Sequence, residues 1–178
     1  MRILTIAAAF LAAMAAGTAS AQSAGSNNMS FSGRLVAEPC TLDPADAMRE
    51  LNFRGVTTSE IYAKGRSAGR PITLHLQNCD IGEGRTRVNV TLTGHPSSLL
   101  PGHLNLNAGG AVGVAIGLET SHGIALPLNQ ANPIGTLTAG GNDIVINAFL
   151  RGEPAALANR TIHQGAINAT VTFAFSYD

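Results

Sequence analysis

From Ile167 to Tyr177 every odd position is apolar (Ile167, Ala169, Val171, Phe173, Phe175, Tyr177), while the even positions are Asn168, Thr170, Thr172, Ala174 and Ser176. A two-residue period sustained over that length describes a strand with one buried face. The period recurs upstream. Ile72, Leu74 and Leu76 alternate with Thr73, His75 and Gln77, Val88, Val90 and Leu92 with Asn89, Thr91 and Thr93, and Val112, Val114, Ile116 and Leu118 with Gly and Ala. Ile144–Leu150 is more uniformly apolar. Gly, Pro, Asn and Asp separate these stretches, and the only helix candidate is a short turn in Asp43–Leu51, which has an acidic start. Seven or so short strands with almost no helical period predict an antiparallel two-sheet sandwich with Greek-key connections.

The first residues set the compartment. Met1-Arg2 is a short positive start, Ile3–Gly17 an apolar run, and Ala19-Ser20-Ala21 a small-x-small site before Gln22. This is the pattern of a secretory signal peptide over 1–21. No later stretch approaches the length a spanning helix needs, so a soluble mature product is expected. Residues 22–178, on the order of 150, suit one domain with a real core rather than two.

Charge and cysteine usage exclude several classes of function. The 11 basic and 11 acidic residues balance to a formal charge of zero, and they are scattered singly, so neither nucleic acid nor an anionic lipid surface is an expected partner. The two cysteines, Cys40 and Cys79, read most simply as one disulfide in an exported chain. They would be half of a zinc site at best, and the five histidines show no ligand spacing, so no metal and no cofactor is expected.

One enzymatic motif matches by its letters. Gly65-Arg66-Ser67-Ala68-Gly69 is G-x-S-x-G, whose mechanics need a strand, a sharp turn presenting the serine and then a helix. Here Arg70-Pro71 leads directly into an alternating strand, so the motif reads as a Gly/Ser-rich loop and no catalytic residue is assigned. Gly82-Glu83-Gly84 and Gly109-Gly110 read as turns. The Asn-x-Ser/Thr triplets at Asn28, Asn89, Asn159 and Asn168 read as chance matches, two of them inside predicted strands.

The ends of the chain carry what remains. After a small, polar leader, Met29, Phe31 and Leu35 alternate with Ser30, Ser32 and Arg34, but Gly33 stands on the apolar face where a core side chain belongs. Pro39-Cys40 follows, and the second cysteine closes Leu76-Gln77-Asn78-Cys79. Near the other end Gly165 stands fourteenth from the terminus, ahead of the alternating run and the penultimate Tyr177. In this conjunction the chain resembles a pilin subunit of the bacterial chaperone-usher fimbriae, of the type 1 or P pilus kind, from Met29 to Asp178.

That resemblance implies a non-enzymatic structural protein. Its fold would be an all-β, incomplete immunoglobulin-like Greek-key sandwich lacking its last strand, with residues 22–38 as a donor-strand extension and 39–178 as the pilin domain. Met29, Phe31 and Leu35 would fill the groove of a neighbouring subunit, with Gly33 where the groove floor leaves no room for a side chain. Val171, Phe173, Phe175, Tyr177 and the terminal Asp178, with Gly165 ahead of them, would line this subunit's own groove and face a periplasmic chaperone. The other partners implied are an outer-membrane usher and neighbouring pilins, and the location is a fimbrium on the cell surface. The alternative is a freestanding secreted binding module or adhesin. A separate lectin domain has no room ahead of Cys40.

Overall fold

A computed structural model of the chain describes residues 38–178. Residues 1–37, which include the signal-peptide and donor-strand expectations, lie outside the described residues. Strand β1 (Thr41–Leu42) is followed by helix α1 (Thr58–Lys64), β2 (Arg70–Cys79), β3 (Arg87–Gly94), β4 (Val114–Thr120), β5 (Ala131–Thr136), β6 (Gly140–Gly152), helix α2 (Pro154–Asn159) and β7 (Val171–Tyr177). Two sheets result, one ordered β1-β2-β6-β4 and the other β5-β3-β7, and every ladder is antiparallel. This is the all-β, immunoglobulin-like sandwich expected, with no strand beyond β7 among the described residues.

The inward faces follow the alternation. Leu74 and Leu76 of β2, Val88, Val90 and Leu92 of β3, and Ile144, Ile146, Ala148 and Leu150 of β6 are buried in one cluster. The disulfide joins Cys40 to Cys79, across 39 residues, and ties the start of the domain to the last residue of β2. Strand β4 departs from a half-buried pattern, since Val114 to Leu118 are all buried. Its outer face is roofed. Gly117 lies opposite Phe149 on β6, a Cβ there would come within 2.3 Å of the ring, and the Arg66 guanidinium stacks on the same ring 3.5 Å from its centroid. Glu119 receives both nitrogens of the Arg66 fork, at 2.9 and 2.7 Å. A bidentate pair of this geometry fixes the guanidinium plane over the aromatic face.

The helices differ from the sequence expectation. Asp43–Leu51 forms only a 3-10 turn at Pro44–Asp46, where Asp43 accepts the Ala45 N–H. Both α-helices lie elsewhere, at positions too short to show a 3.6-residue period. α1 is capped by Thr57, which accepts the Glu60 N–H, and ends at Gly65 with φ of 73°. The serine motif therefore follows a helix instead of opening one. Ser67 is 2% exposed, and its Oγ accepts the Leu150 N–H of β6 at 3.0 Å. Ser67 thus anchors the loop to the sheet, buried away from any substrate.

Strand boundaries also shifted at two places. Val112 belongs to no strand; it is exposed and bridges to His163, and β4 begins two residues later. The ladder of β7 begins at Val171, not Ile167, because the preceding segment pairs elsewhere: Ala111 N–H donates to Ala166 O and Asn107 N–H to Asn168 O.

Candidate strand-accepting groove

The strand with the clearest alternation is the least buried. Along β7 the odd residues Val171, Phe173, Phe175 and Tyr177 are only half-buried, although they face the core. Their ladder partners on β3 are closed off: Phe175 pairs with Val90 and Phe173 with Leu92, which are 0% and 2% exposed. Phe173 and Phe175 stack at a tilt with centroids 5.8 Å apart. Partial burial pushes the Tyr177 hydroxyl above its ordinary value of 10.0, with the Glu38 carboxylate adding to the effect. Among the described residues β7 bonds to β3 on one side and to no strand on the other. An apolar edge in that condition is a template for another strand.

A cleft of about 710 Å³ is lined by Ile167, Ala169 and Val171 ahead of and at the start of β7, by Leu51 and Phe53, and by Ile72, Ile116, Leu118 and Ala148 of β2, β4 and β6. Arg49, Glu50 and Arg54 stand with Leu51 and Phe53 in its wall. Leu51 and Phe53 carry the two-residue period over Leu51-Asn52-Phe53-Arg54, a signal present in the sequence but too short to separate from the helix candidate before it.

Gly165 is placed by close approach of two backbones. A Cβ on it would meet the Ala111 nitrogen and the Gly110 carbonyl carbon at 2.7 Å, and a Cβ on Gly110 would meet Ala166 O at 2.4 Å. Side chains at either position would push the 107–112 segment off the residues that lead into β7. Gly165 is thus fixed against the 107–112 segment, two residues before Ile167, where the lining of the cleft begins.

The far end of β7 is held to the last residue. Asp178 N–H donates to Arg87 O at 3.0 Å, Arg87 N–H donates to Asp178 O at 2.9 Å, and Asn89 Nδ2 donates to both side-chain oxygens of Asp178 at 3.1 Å. Asn89, which in sequence is only part of a chance triplet, therefore fixes the terminal residue in register. Met29, Phe31, Gly33 and Leu35 lie outside the described residues. Among the described residues no cluster of His, Cys, Asp or Glu could hold a metal ion.

Residues 29–178 match the family described as Fimbrial protein. The chain belongs to that family. It is 34% identical over 157 residues to the uncharacterized fimbrial-like protein YfcP of Escherichia coli K12, covering 86% of this chain and 85% of that one. It is 28% identical to the major MR/P fimbria protein of Proteus mirabilis, over 91% of this chain and 90% of the relative. With the fimbrial adapter PapK of Escherichia coli it shares 26% identity, over 93% of each chain. Among solved structures, a chaperone-usher pilus subunit superposes with a TM-score of 0.65 at 25% identity, covering 87% of this chain and 97% of that one. The P pilus rod subunit PapA shares the fold, with a TM-score of 0.64 at 24% identity, over 79% of this fimbrial protein and all of that chain. This is a family of structural subunits, and this fimbrial chain is a non-enzymatic pilin of the chaperone-usher kind.

Proposed function

We propose that this pilin polymerises by donor-strand exchange. The observation that carries the reading is β7: an apolar face left half-buried along an edge with no outer ladder partner, beside a cleft of about 710 Å³ between the sheets. A strand laid along that edge would gain main-chain bonds from β7 and bury alternate side chains against Val171, Phe173, Phe175 and Tyr177. The occupant in the fibre is the arm of a neighbouring subunit, with Met29, Phe31 and Leu35 as its buried side chains and Gly33 where the floor is high. Residues 1–21 are removed as a signal peptide, 22–38 form the arm, and 39–178 form the pilin domain. Before assembly a periplasmic chaperone covers β7 and Asp178, and an outer-membrane usher receives the complex. The product is a surface fimbrium that serves adhesion, in which this chain is a shaft, adaptor or terminator subunit.

The test is direct. The mature protein, released from its chaperone in the presence of a synthetic peptide of residues 22–38, should give a complex that survives gel filtration. A stable, monomeric domain that ignores the peptide would instead be a freestanding binding module, and the reading would fail.

A further inference from the structure

Leu51 and Phe53, which line the cleft together with Ile167, Ala169 and Val171, stand on a segment tied to β2 at both ends. The upstream tie is made by Asp43 and Asp46. Asp43 N–H donates to His75 O, the Gln77 amide donates to Asp43 Oδ2 at 2.6 Å, and the Asp46 carboxylate accepts the His75 N–H at 2.6 Å and the His75 Nδ1 at 2.7 Å. The downstream tie is the Arg70 guanidinium, which donates to Arg54 O. Between the ties no main-chain bond joins residues 48–53 to either sheet among the described residues. Ala47 to Glu50 are exposed, Met48 at 89%, whereas Leu51 and Phe53 are half-buried and pack against the core. The segment is a strap, fastened by side chains at Asp46 and Arg54 and carrying two apolar residues of the cleft between them.

The upstream fastening is the more demanding one. A carboxylate that is 1% exposed keeps its charge only while it is bonded. The partners of Asp46 are His75 on β2 and Arg49 on the strap itself, whose Nη1 lies at 3.5 Å. The contacts that make its burial tolerable are therefore the ones that hold the strap to the strand. Beyond Asp46 only the packing of Leu51 and Phe53 fixes the chain until Arg54 is reached. Asp46 does not line the cleft, so any effect it has on an occupant passes through the strap.

We propose that Asp46 is a positioning residue for the groove: through His75 it holds the strap of residues 46–54 so that Leu51 and Phe53 present their apolar faces to an arm seated along β7. The inference rests on the strand-exchange reading above, and it names a residue outside the groove lining that sets how long the arm stays. A wall already in place need not be ordered when the arm arrives, and that preorganisation favours the bound state.

The experiment starts from mature subunit released from its chaperone in excess labelled peptide of residues 22–38, and follows loss of the label into unlabelled peptide in dilute denaturant. Wild type is compared with Asp46→Ala, Asp46→Asn, Arg70→Met and Ile61→Val; Ile61 is buried in α1 and lines no part of the cleft. The peptide should leave Asp46→Ala about fivefold or more faster than wild type, since changes within one interface fall mainly on dissociation. Asp46→Asn, whose amide oxygen can still accept the His75 N–H, should recover most of the retention. Arg70→Met cuts the other tie and should also shorten retention, and it carries the test if Asp46→Ala does not fold. Trypsin should cut after Arg49 sooner in Asp46→Ala and not in Ile61→Val, because a freed strap opens locally. Failure of the peptide to bind wild type would remove strand exchange itself. With the peptide bound, equal retention in wild type, Asp46→Ala and Arg70→Met, or an equal loss in Ile61→Val, would overturn the role of Asp46 alone.

Discussion

Asp46 Oδ2 accepts two bonds from one residue, the main-chain N–H of His75 at 2.6 Å and the His75 Nδ1 at 2.7 Å. The carboxylate is 1% exposed, and it joins the 3-10 turn to the middle of β2. The His75 N–H, followed by its imidazole and the more distant Arg49, holds Asp46 below its ordinary value of 3.8, and the Asp46 bond holds His75 above 6.5, helped by the charges of Asp143 and Asp43. The Asp46 contribution is present above 3.8 and is lost as pH falls through its lowered value. The His75 contribution is present below 6.5 and is lost as pH rises through its raised value. Thermal unfolding of the peptide-filled subunit should therefore show a local maximum between these limits. His75→Gln should flatten the alkaline limb and leave most of the acid limb, because the main-chain donor remains. An unchanged alkaline limb in that variant would show that the pair is not its source.

The disulfide closes a loop across 39 residues, and in the loop-entropy account such a closure restrains the unfolded chain by about 4 kcal/mol. Intact mass with and without thiol alkylation should show secreted protein beginning at Gln22 with no free thiol. Cys40→Ala/Cys79→Ala should unfold at markedly lower denaturant, and an unchanged midpoint would contradict the loop's role.

Gly165→Val places a side chain where the backbone of Gly110 and Ala111 already lies within 2.8 Å. Overpacking of this kind costs about 1–3 kcal/mol, and here it falls on the residues that lead into β7. Peptide binding should weaken together with stability. The comparison variant Gly141→Val, at a position with open space around it, should change neither.

Removal of Phe175–Asp178 takes away the last pairs of the β3–β7 ladder, and Tyr177→Asp keeps the main chain but puts a charge on the half-buried apolar face. Without those pairs the sheet edge is a target for wrong pairing, so periplasmic levels should collapse while signal cleavage proceeds. Normal levels of the truncated chain in cells lacking the chaperone would count against the open-groove reading.

Under the proposed strand exchange, Phe31→Asp and Gly33→Leu would alter only what the arm offers to a neighbour, by burying a charge or by demanding space. Each variant should fold with its chaperone, keep its disulfide and accept a wild-type peptide, yet fail to polymerise. Loss of chaperone-bound folding as severe as that of the truncation would assign the arm to its own core. Normal polymerisation of both would end its role as donor.

The β-rich class and most strand positions were legible because Leu74, Val90, Ile146 and their neighbours obey the two-residue period that a half-buried sheet imposes. β5 was not. Its segment Ala131–Thr136 contains Pro133 and Gly135 and has only Asn132 buried, so it carries no apolar rhythm; main-chain pairing with β3, the Asn132 amide donating to Val90 O and Pro127 O, and Ile134 against the core hold it at the sheet edge. The helices α1 and α2 were missed because each is specified by caps, Thr57 and Gly65 for one and Pro154 and Arg160 for the other, instead of by periodicity. In the groove, Val171–Tyr177 announced themselves by alternation, but the same letters would suit a fully buried strand. Only the contrast in exposure with Val90 and Leu92 separates the two cases. Leu51 and Phe53 belong to the groove through a crossing of the chain that local sequence does not encode.

The β3–β7 ladder also has a bearing on time. Val88 pairs with Tyr177 and Gly94 with Val171, so the middle strand of one sheet waits for residues at the very end of the chain. A polypeptide made and delivered from its first residue onward holds β3 for most of its emergence without the strand that flanks it. Contacts so distant in sequence also form slowly once both partners are present. β3 is thus without its β7 neighbour until residues 171–177 have arrived, and under the proposed assembly that interval is when a covering partner would matter most.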